Sequence, residues 1–157
     1  MSWTCPGAGN GYFVANVAGH DLGASFITSS LKAMVHQEAA QGRDPEFILT
    51  NINTVLRTIT RSRMHLTASF LDLSRDLGRA ALFCADHPPP VLLPKSAPRF
   101  IEARGDILGV FQEMRIQRVD FDLHPGERVF LFTGGLMEPF IDHRTTREDK
   151  INPDGVV

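Results

Sequence analysis

Residues 65–93 read HLTASFLDLSRDLGRAALFCADHPPPVLL, and the way this stretch divides decides the fold class. Thr67 to Leu73 and Arg79 to Ala85 are apolar runs of strand length. Between them, Ser74-Arg75-Asp76-Leu77-Gly78 is a glycine-containing loop short enough to join antiparallel neighbours. His87 and three prolines form a rigid bend after the second run, and Val91–Leu93 resumes as a short third.

Upstream of this hairpin the periodicity is helical. From Leu22 to about Gln41 the apolar residues Phe26, Ile27, Leu31, Met34 and Val35 recur at helix spacing, and Gly42 supplies a stop. A second helix opens with Asp44 as N-cap and Pro45 in the first helical position. Its stripe is Phe47, Ile48, Ile52, Val55, Leu56 and Ile59, ending near Arg61-Ser62-Arg63. The short loop between the two predicts an antiparallel pair. Before them, Tyr12 to Val17 reads as a buried strand.

Downstream, Arg115 to Leu123 alternates, with Phe121 and Leu123 the clearest in-phase pair. His124-Pro125-Gly126-Glu127 is a turn, and Arg128 to Thr133 another apolar strand. Helices grouped first and antiparallel strands after them make an α+β layered domain. A doubly wound parallel sheet would need the two to alternate along the whole chain.

The 157 residues suit one domain, and 43% apolar with 22% charged residues is enough to bury a core. We therefore expect a single domain over 1–157, with 1–10 and 142–157 flexible. The formal net charge of −2 leaves no basic footprint for nucleic acid. No apolar stretch reaches the roughly 18 residues a membrane helix needs, and no signal peptide is visible. Cys5 and Cys84 stand far apart without metal-ligand spacing, which argues for a reducing cytoplasm and against a disulfide framework or zinc site.

Two strand-to-turn segments carry the polar residues of interest. Residues 16–21, NVAGHD, end the first strand; a turn of this kind aims carbonyls and side chains at a hard cation or a phosphate. The plainer alternative is a tight Gly19 turn with His20 and Asp21 capping the helix. Residues 132–138, FTGGLME, end the last strand; Gly134 and Gly135 permit unusual backbone angles but offer no catalytic side chain, leaving Glu138 as the nearby carboxylate. His87 is open to two roles, as ligand or base, or as a histidine that hydrogen-bonds a loop. The turn 105–109, GDILG, is a weak functional signal, and Arg57, Arg61 and Arg63 read as a solvated helix end. No nucleophile elbow, P-loop, HExxH or dinucleotide fingerprint occurs.

Taken in order, four segments resemble the PPM-type metal-dependent protein serine/threonine phosphatases, in the bacterial branch typified by the sporulation stage II E (SpoIIE-like) phosphatase. NVAGHDLGASF resembles the family's G-D-V-S-G-H-G-x-x-A segment. The 65–93 hairpin is similar to its T-A … D-x-x-x-G-x-L … N-A-G-H-P-P pattern. GDILGV is similar to its G-x-P-L-G turn, and LHPGERVFLFTGGLMEP to its L-x-P-G-D-x-L-x-L-Y-T-D-G-L-x-E strand and turn. The likeness runs from about Gly11 to Gly155.

The resemblance implies a PPM-like α-β-β-α sandwich of antiparallel sheets flanked by helices, expected to be incomplete at the termini. It implies two manganese or magnesium ions held mainly by aspartates, activating a water that attacks a phosphoserine or phosphothreonine. It also implies a regulatory protein partner, such as an anti-sigma-factor antagonist or another phosphoprotein.

At the metal positions this chain departs from the pattern. The family's first-motif aspartate falls on Asn16, with the metal-facing carbonyl on Val17, and the T-D-G aspartate falls on Gly134. The earlier Gly-Asp pair falls before residue 11, where the chain reads WTCPGAGNG, and a last aspartate falls beyond the NPDG of 152–155. Asp21 and Asp86 replace glycines of the pattern and are the candidate substitute ligands. Gly19, His20, His87 and Gly135 complete the motif turns. The expectation is thus a protein-binding pseudophosphatase, the alternative being a working phosphatase with substitute ligands. Open sheet edges would also favour a homodimer.

Overall fold

The computed structural model describes residues 2–4, 10–18, 22–60 and 64–137. In chain order these form β1 (Ser2–Thr4), β2 (Asn10–Val17), α1 (Leu22–Ala40), α2 (Pro45–Thr60), β3 (Leu66–Leu73), β4 (Arg79–Ala85) and β5 (Val91–Leu93). They continue with β6 (Arg99–Phe100), β7 (Gln117–Asp122), β8 (Arg128–Phe130) and the single turn α3 (Gly134–Met137). A five-stranded sheet runs β1-β2-β3-β4-β7 and a three-stranded sheet runs β6-β5-β8; every pairing is antiparallel.

Side-chain alternation explains the layering. Phe13 of β2, Leu66, Ala68 and Phe70 of β3, and Ala81, Phe83 and Ala85 of β4 share one face of the large sheet. Against it pack Leu31, Val35 and Ala39 of α1 and Ile48, Leu49, Ile52 and Leu56 of α2. On the opposite face Leu82 meets Leu92 and Ile101, with Val119, Phe121 and Val129 around them. β4 is therefore buried on both faces, which is why Ala80 to Ala85 read as a continuous apolar run rather than an alternation. The described residues supply three layers: a helix pair, the large sheet and the small sheet.

The helix boundaries follow from local chemistry. The Asp44 carboxylate accepts the Glu46 and Phe47 N–H groups at 2.8 and 3.2 Å, and Pro45 opens α2 where no N–H is needed. At the end of α1, Gly42 takes a φ of 71°. Its N–H reaches the Ala39 carbonyl at 2.9 Å and the Arg43 N–H reaches that of Glu38 at 3.1 Å. This is a Schellman closure.

Several expectations need correction. Ser2–Thr4 pair with β2, and Asn10 already belongs to it, strand positions that the sequence pattern does not announce. Arg99–Phe100 is a strand with no pattern of its own; β5 recruits it. The last apolar run is strand only through Phe130. Phe132 is buried by packing instead, its ring 5.9 Å from that of Phe130. Phe26 and Ile59 were read into helix stripes, yet they are 73% and 64% exposed, because those stripes are wider than the face the sheet covers. In the β3–β4 hairpin the positive φ falls on Leu77, at 55°, rather than on the neighbouring Gly78.

Candidate functional site

The motif turns gather at one end of the large sheet. Register places Asn16 opposite Thr67 and Val17 opposite Leu66, at the last pairs of the β2–β3 ladder. Ala68 pairs with Ala85, so Asp86 and His87 leave β4 at this same end. His87 is 5% exposed, and both ring nitrogens are engaged: Nδ1 lies 2.8 Å from the Thr67 hydroxyl and Nε2 lies 3.0 Å from the Phe132 carbonyl. Phe132 leads directly into Thr133 and Gly134. Asn16 and Gly134, far apart in sequence, thus belong to one locality, linked through Thr67, His87 and Phe132.

The tautomer of His87 follows from its partners. A carbonyl only accepts, so Nε2 carries the hydrogen. Burial holds the imidazole below its ordinary pKa, against the pull of the Phe132 carbonyl and Asp86, so the ring is neutral and Nδ1 accepts from Thr67. Of the two roles open to His87, the structure supports hydrogen bonding. Because protonation is disfavoured in the folded state, the unfolded chain binds the extra proton below its ordinary pKa of about 6.5. Stability present above that value is therefore lost as pH falls. Thermal melts should show a decreasing midpoint from about pH 7 to about pH 5, and His87→Gln should flatten that limb. The neighbouring Cys84 thiol donates to the His87 carbonyl at 3.5 Å, and burial pushes its pKa up, so it is a core group rather than a nucleophile.

Asp86 is exposed and sits at φ 49°, a left-handed position that a short polar side chain tolerates. That conformation explains why a glycine-pattern position carries an aspartate here. Gly134 and Gly135 open α3 in ordinary helical conformation and do not use the backbone freedom expected of them. Among the described residues, a Cβ added at either would meet nothing within 4 Å. Gly19, His20, Asp21 and Glu138 lie outside the described residues, as do Arg61 and Arg63; Arg57 is half-buried rather than solvated.

Two structural residues were missed in the sequence. Thr67 was read only as part of a strand. Asn53 sits in the apolar stripe of α2 at 1% exposure, where its Oδ1 accepts the Gly109 N–H at 2.8 Å and its Nδ2 donates to the Phe111 carbonyl at 2.9 Å. The signal was an amide embedded in Ile52-Asn53 of an otherwise apolar face. It makes the GDILG turn a structural clasp, with Gly109 at φ 94° and Leu108 bridged to Leu66.

A dinuclear metal centre needs anionic side chains to offset the repulsion of two divalent cations. Asn16 is exposed and neutral, Gly134 has no side chain, and the described residues contain no group of three or more His, Cys, Asp or Glu placed to hold an ion. They do not fit the family's two-metal site. An open cleft of about 490 Å³ lies toward the opposite end of the sheet, lined by Asp72, Arg79, Arg118 and Asp120 among others, away from every motif turn. There Arg118 is already committed to Asp120 at 2.7 Å, and burial pushes the Asp72 carboxyl up.

A helix pair over antiparallel sheets, with glycine- and histidine-bearing turns at one end, defines a PP2C-like phosphatase fold. The chain belongs to the SpoIIE family: the model of that family, Stage II sporulation protein E, matches residues 6–152. It is 24% identical over 134 residues to the phosphoserine phosphatase RsbP of Bacillus subtilis (strain 168), covering 82% of this chain and 33% of RsbP. Among solved structures, the RsbU and RsbW domains of Rv1364c from Mycobacterium tuberculosis superpose with a TM-score of 0.74 at 20% identity, covering 88% of this chain and 38% of that one. The PP2C phosphatase domain of SpoIIE from Bacillus subtilis, with a fragment of its regulatory domain, superposes at 0.72 and 15% identity, covering 98% and 46%. The chain thus spans a third of the length of RsbP. Among the described residues no helix is long and apolar enough to cross a membrane.

Proposed function

We propose that this is a SpoIIE-like phosphatase-fold domain of a cytoplasmic partner-switching pathway that binds a regulatory protein and has weak or no phosphatase activity of its own. Its partner is a regulatory phosphoprotein of the anti-sigma-factor-antagonist kind, with a second copy of the chain as a further partner. The observation that supports the reading is that Asn16 and Gly134, where the resemblance places two of the family's metal-binding aspartates, carry no negative charge. The competing reading, a metal-dependent phosphoserine or phosphothreonine phosphatase with manganese or magnesium on substitute ligands, draws on the name of RsbP and on the extra acids Asp21 and Asp86.

Calorimetric titration with manganese beside hydrolysis of p-nitrophenyl phosphate separates the two. The expected result is no stoichiometric manganese binding and no metal-dependent turnover. Tight stoichiometric binding with turnover would overturn the proposal. The double variant Asn16→Asp with Gly134→Asp asks whether the scaffold still presents its site. One change is isosteric and exposed, and the other places a Cβ with no atom of the described residues within 4 Å, so the variant should fold as the parent does.

A further inference from the structure

We infer that His87 is a positioning residue: it sets the placement of the Phe132–Gly134 turn relative to the Asn16 end of β2, and so fixes the shape of the motif end. The inference rests on the reading that this end is the working surface, but its test needs neither metal nor partner.

The two turns belong to different sheets. Asn16 is held by the large sheet through its pairing with Thr67. Beyond β8, which belongs to the small sheet, the described residues show three ties: a local bond from the Leu136 N–H to the Thr133 carbonyl at 3.0 Å, the buried Phe132 ring stacked near Phe130 within the small-sheet side, and the His87 bond to the Phe132 carbonyl, which alone of the three reaches the large sheet. His87 itself leaves β4 of the large sheet and bonds sideways to Thr67. One rigid, planar ring therefore spans from the cross-strand partner of Asn16 to the residue two before Gly134. Its nitrogens are spent on opposite partners and it is almost wholly buried, so it cannot turn without stranding a buried polar atom on one side or the other. Asp86 and the three following prolines limit movement of its backbone. A long, flexible side chain in its place would leave the two turns free to drift apart.

The test is amide hydrogen exchange on the whole chain. Thr67→Val removes the hydroxyl at nearly constant volume, and His87→Leu removes both ring bonds. Each should lower protection by about tenfold or more in the 132–136 segment and at Ala18, whose N–H reaches the His65 carbonyl beside Thr67. The mid-sheet amides of Leu71 and Leu82 should stay as in the parent. His87→Gln, which keeps a donor within reach of the Phe132 carbonyl, should restore part of the protection at 132–136. Unchanged protection at 132–136 would overturn the inference, and so would an equal loss across every strand, which marks an ordinary core residue. If His87→Leu does not fold, Thr67→Val decides alone. Manganese binding in the earlier titration would sink the pseudophosphatase reading while leaving this result intact.

Discussion

Gly105→Ala is expected to destabilise the domain by about 3 kcal/mol or more, among the largest effects open to a one-methyl change. The added Cβ would overlap the Cys84 carbonyl oxygen and lie 2.9 Å from its carbon and 3.0 Å from the Arg115 oxygen. All three atoms are backbone, so no rotamer change relieves the contact. Gly105 bridges Ile116 as the chain passes over the β4–β7 junction, where Cys84 pairs with Gln117. Relief would require either opening that ladder or lifting residues 101–109, which carry the buried Ile101 and Leu108. Urea unfolding should show a lower midpoint at unchanged slope. Gly135→Ala is the control: its Cβ meets nothing within 4 Å among the described residues, it lies in a helical turn, and it should be neutral or slightly stabilising. A Gly105→Ala variant within about 0.5 kcal/mol of the parent would show that the crossing is far looser than these distances.

Asn53→Leu should cost about 3 kcal/mol for a different reason. The shape of the side chain is roughly kept, but the Gly109 N–H and the Phe111 carbonyl each lose a buried partner, at about 1–3 kcal/mol apiece. The loop cannot turn to find other partners. Gly109 is held at φ 94°, and the Met64 carbonyl sits 2.6 Å from where its Cβ would be. Asn53→Asp should be harmful too, since a carboxylate keeps the acceptor for Gly109 but faces the Phe111 carbonyl with no hydrogen to offer. Chemical denaturation of the two variants checks this, with the aspartate variant recovering only as the pH is lowered and the acid becomes neutral. Equal stability of parent and leucine variant would mean that the clasp is ornamental.

What the sequence disclosed depended on whether the cause was local. The start of α2 was legible to the residue because Asp44 and Pro45 act on their own helix end. β4 was legible at both ends because its loop residues and Asp86 bound an unbroken apolar run. β1 and β6 were hidden, since each is strand only by virtue of a neighbour that pairs with it. The apolar run through Thr133 overstated β8 because burial of Phe132 arises from stacking, which has no periodicity of its own. Glycine misled in both directions: Gly134 and Gly135 proved helical, while Leu77 and Asp86 took the left-handed angles. The fourfold resemblance assigned Asn16, His87 and Gly134 to motif turns, and the structure links the three through Thr67 and Phe132. Nothing in positions 67, 87 and 132 announces that they meet, because that depends on how two sheets are stacked.

The room that the described residues leave at Gly134 has an evolutionary side. Asparagine and aspartate codons differ by one base, as do a pyrimidine-ending glycine codon and that for aspartate. A bulky residue grown into the place of a lost acid would have to be removed before the acid could return. Among the described residues no such repacking stands in the way, since a Cβ at 134 meets none of their atoms within 4 Å and Asn16 already has the outline of the acid. In mutational terms, the two-carboxylate version of this surface lies two point changes away, along a route on which the described residues place no atom against the new Cβ.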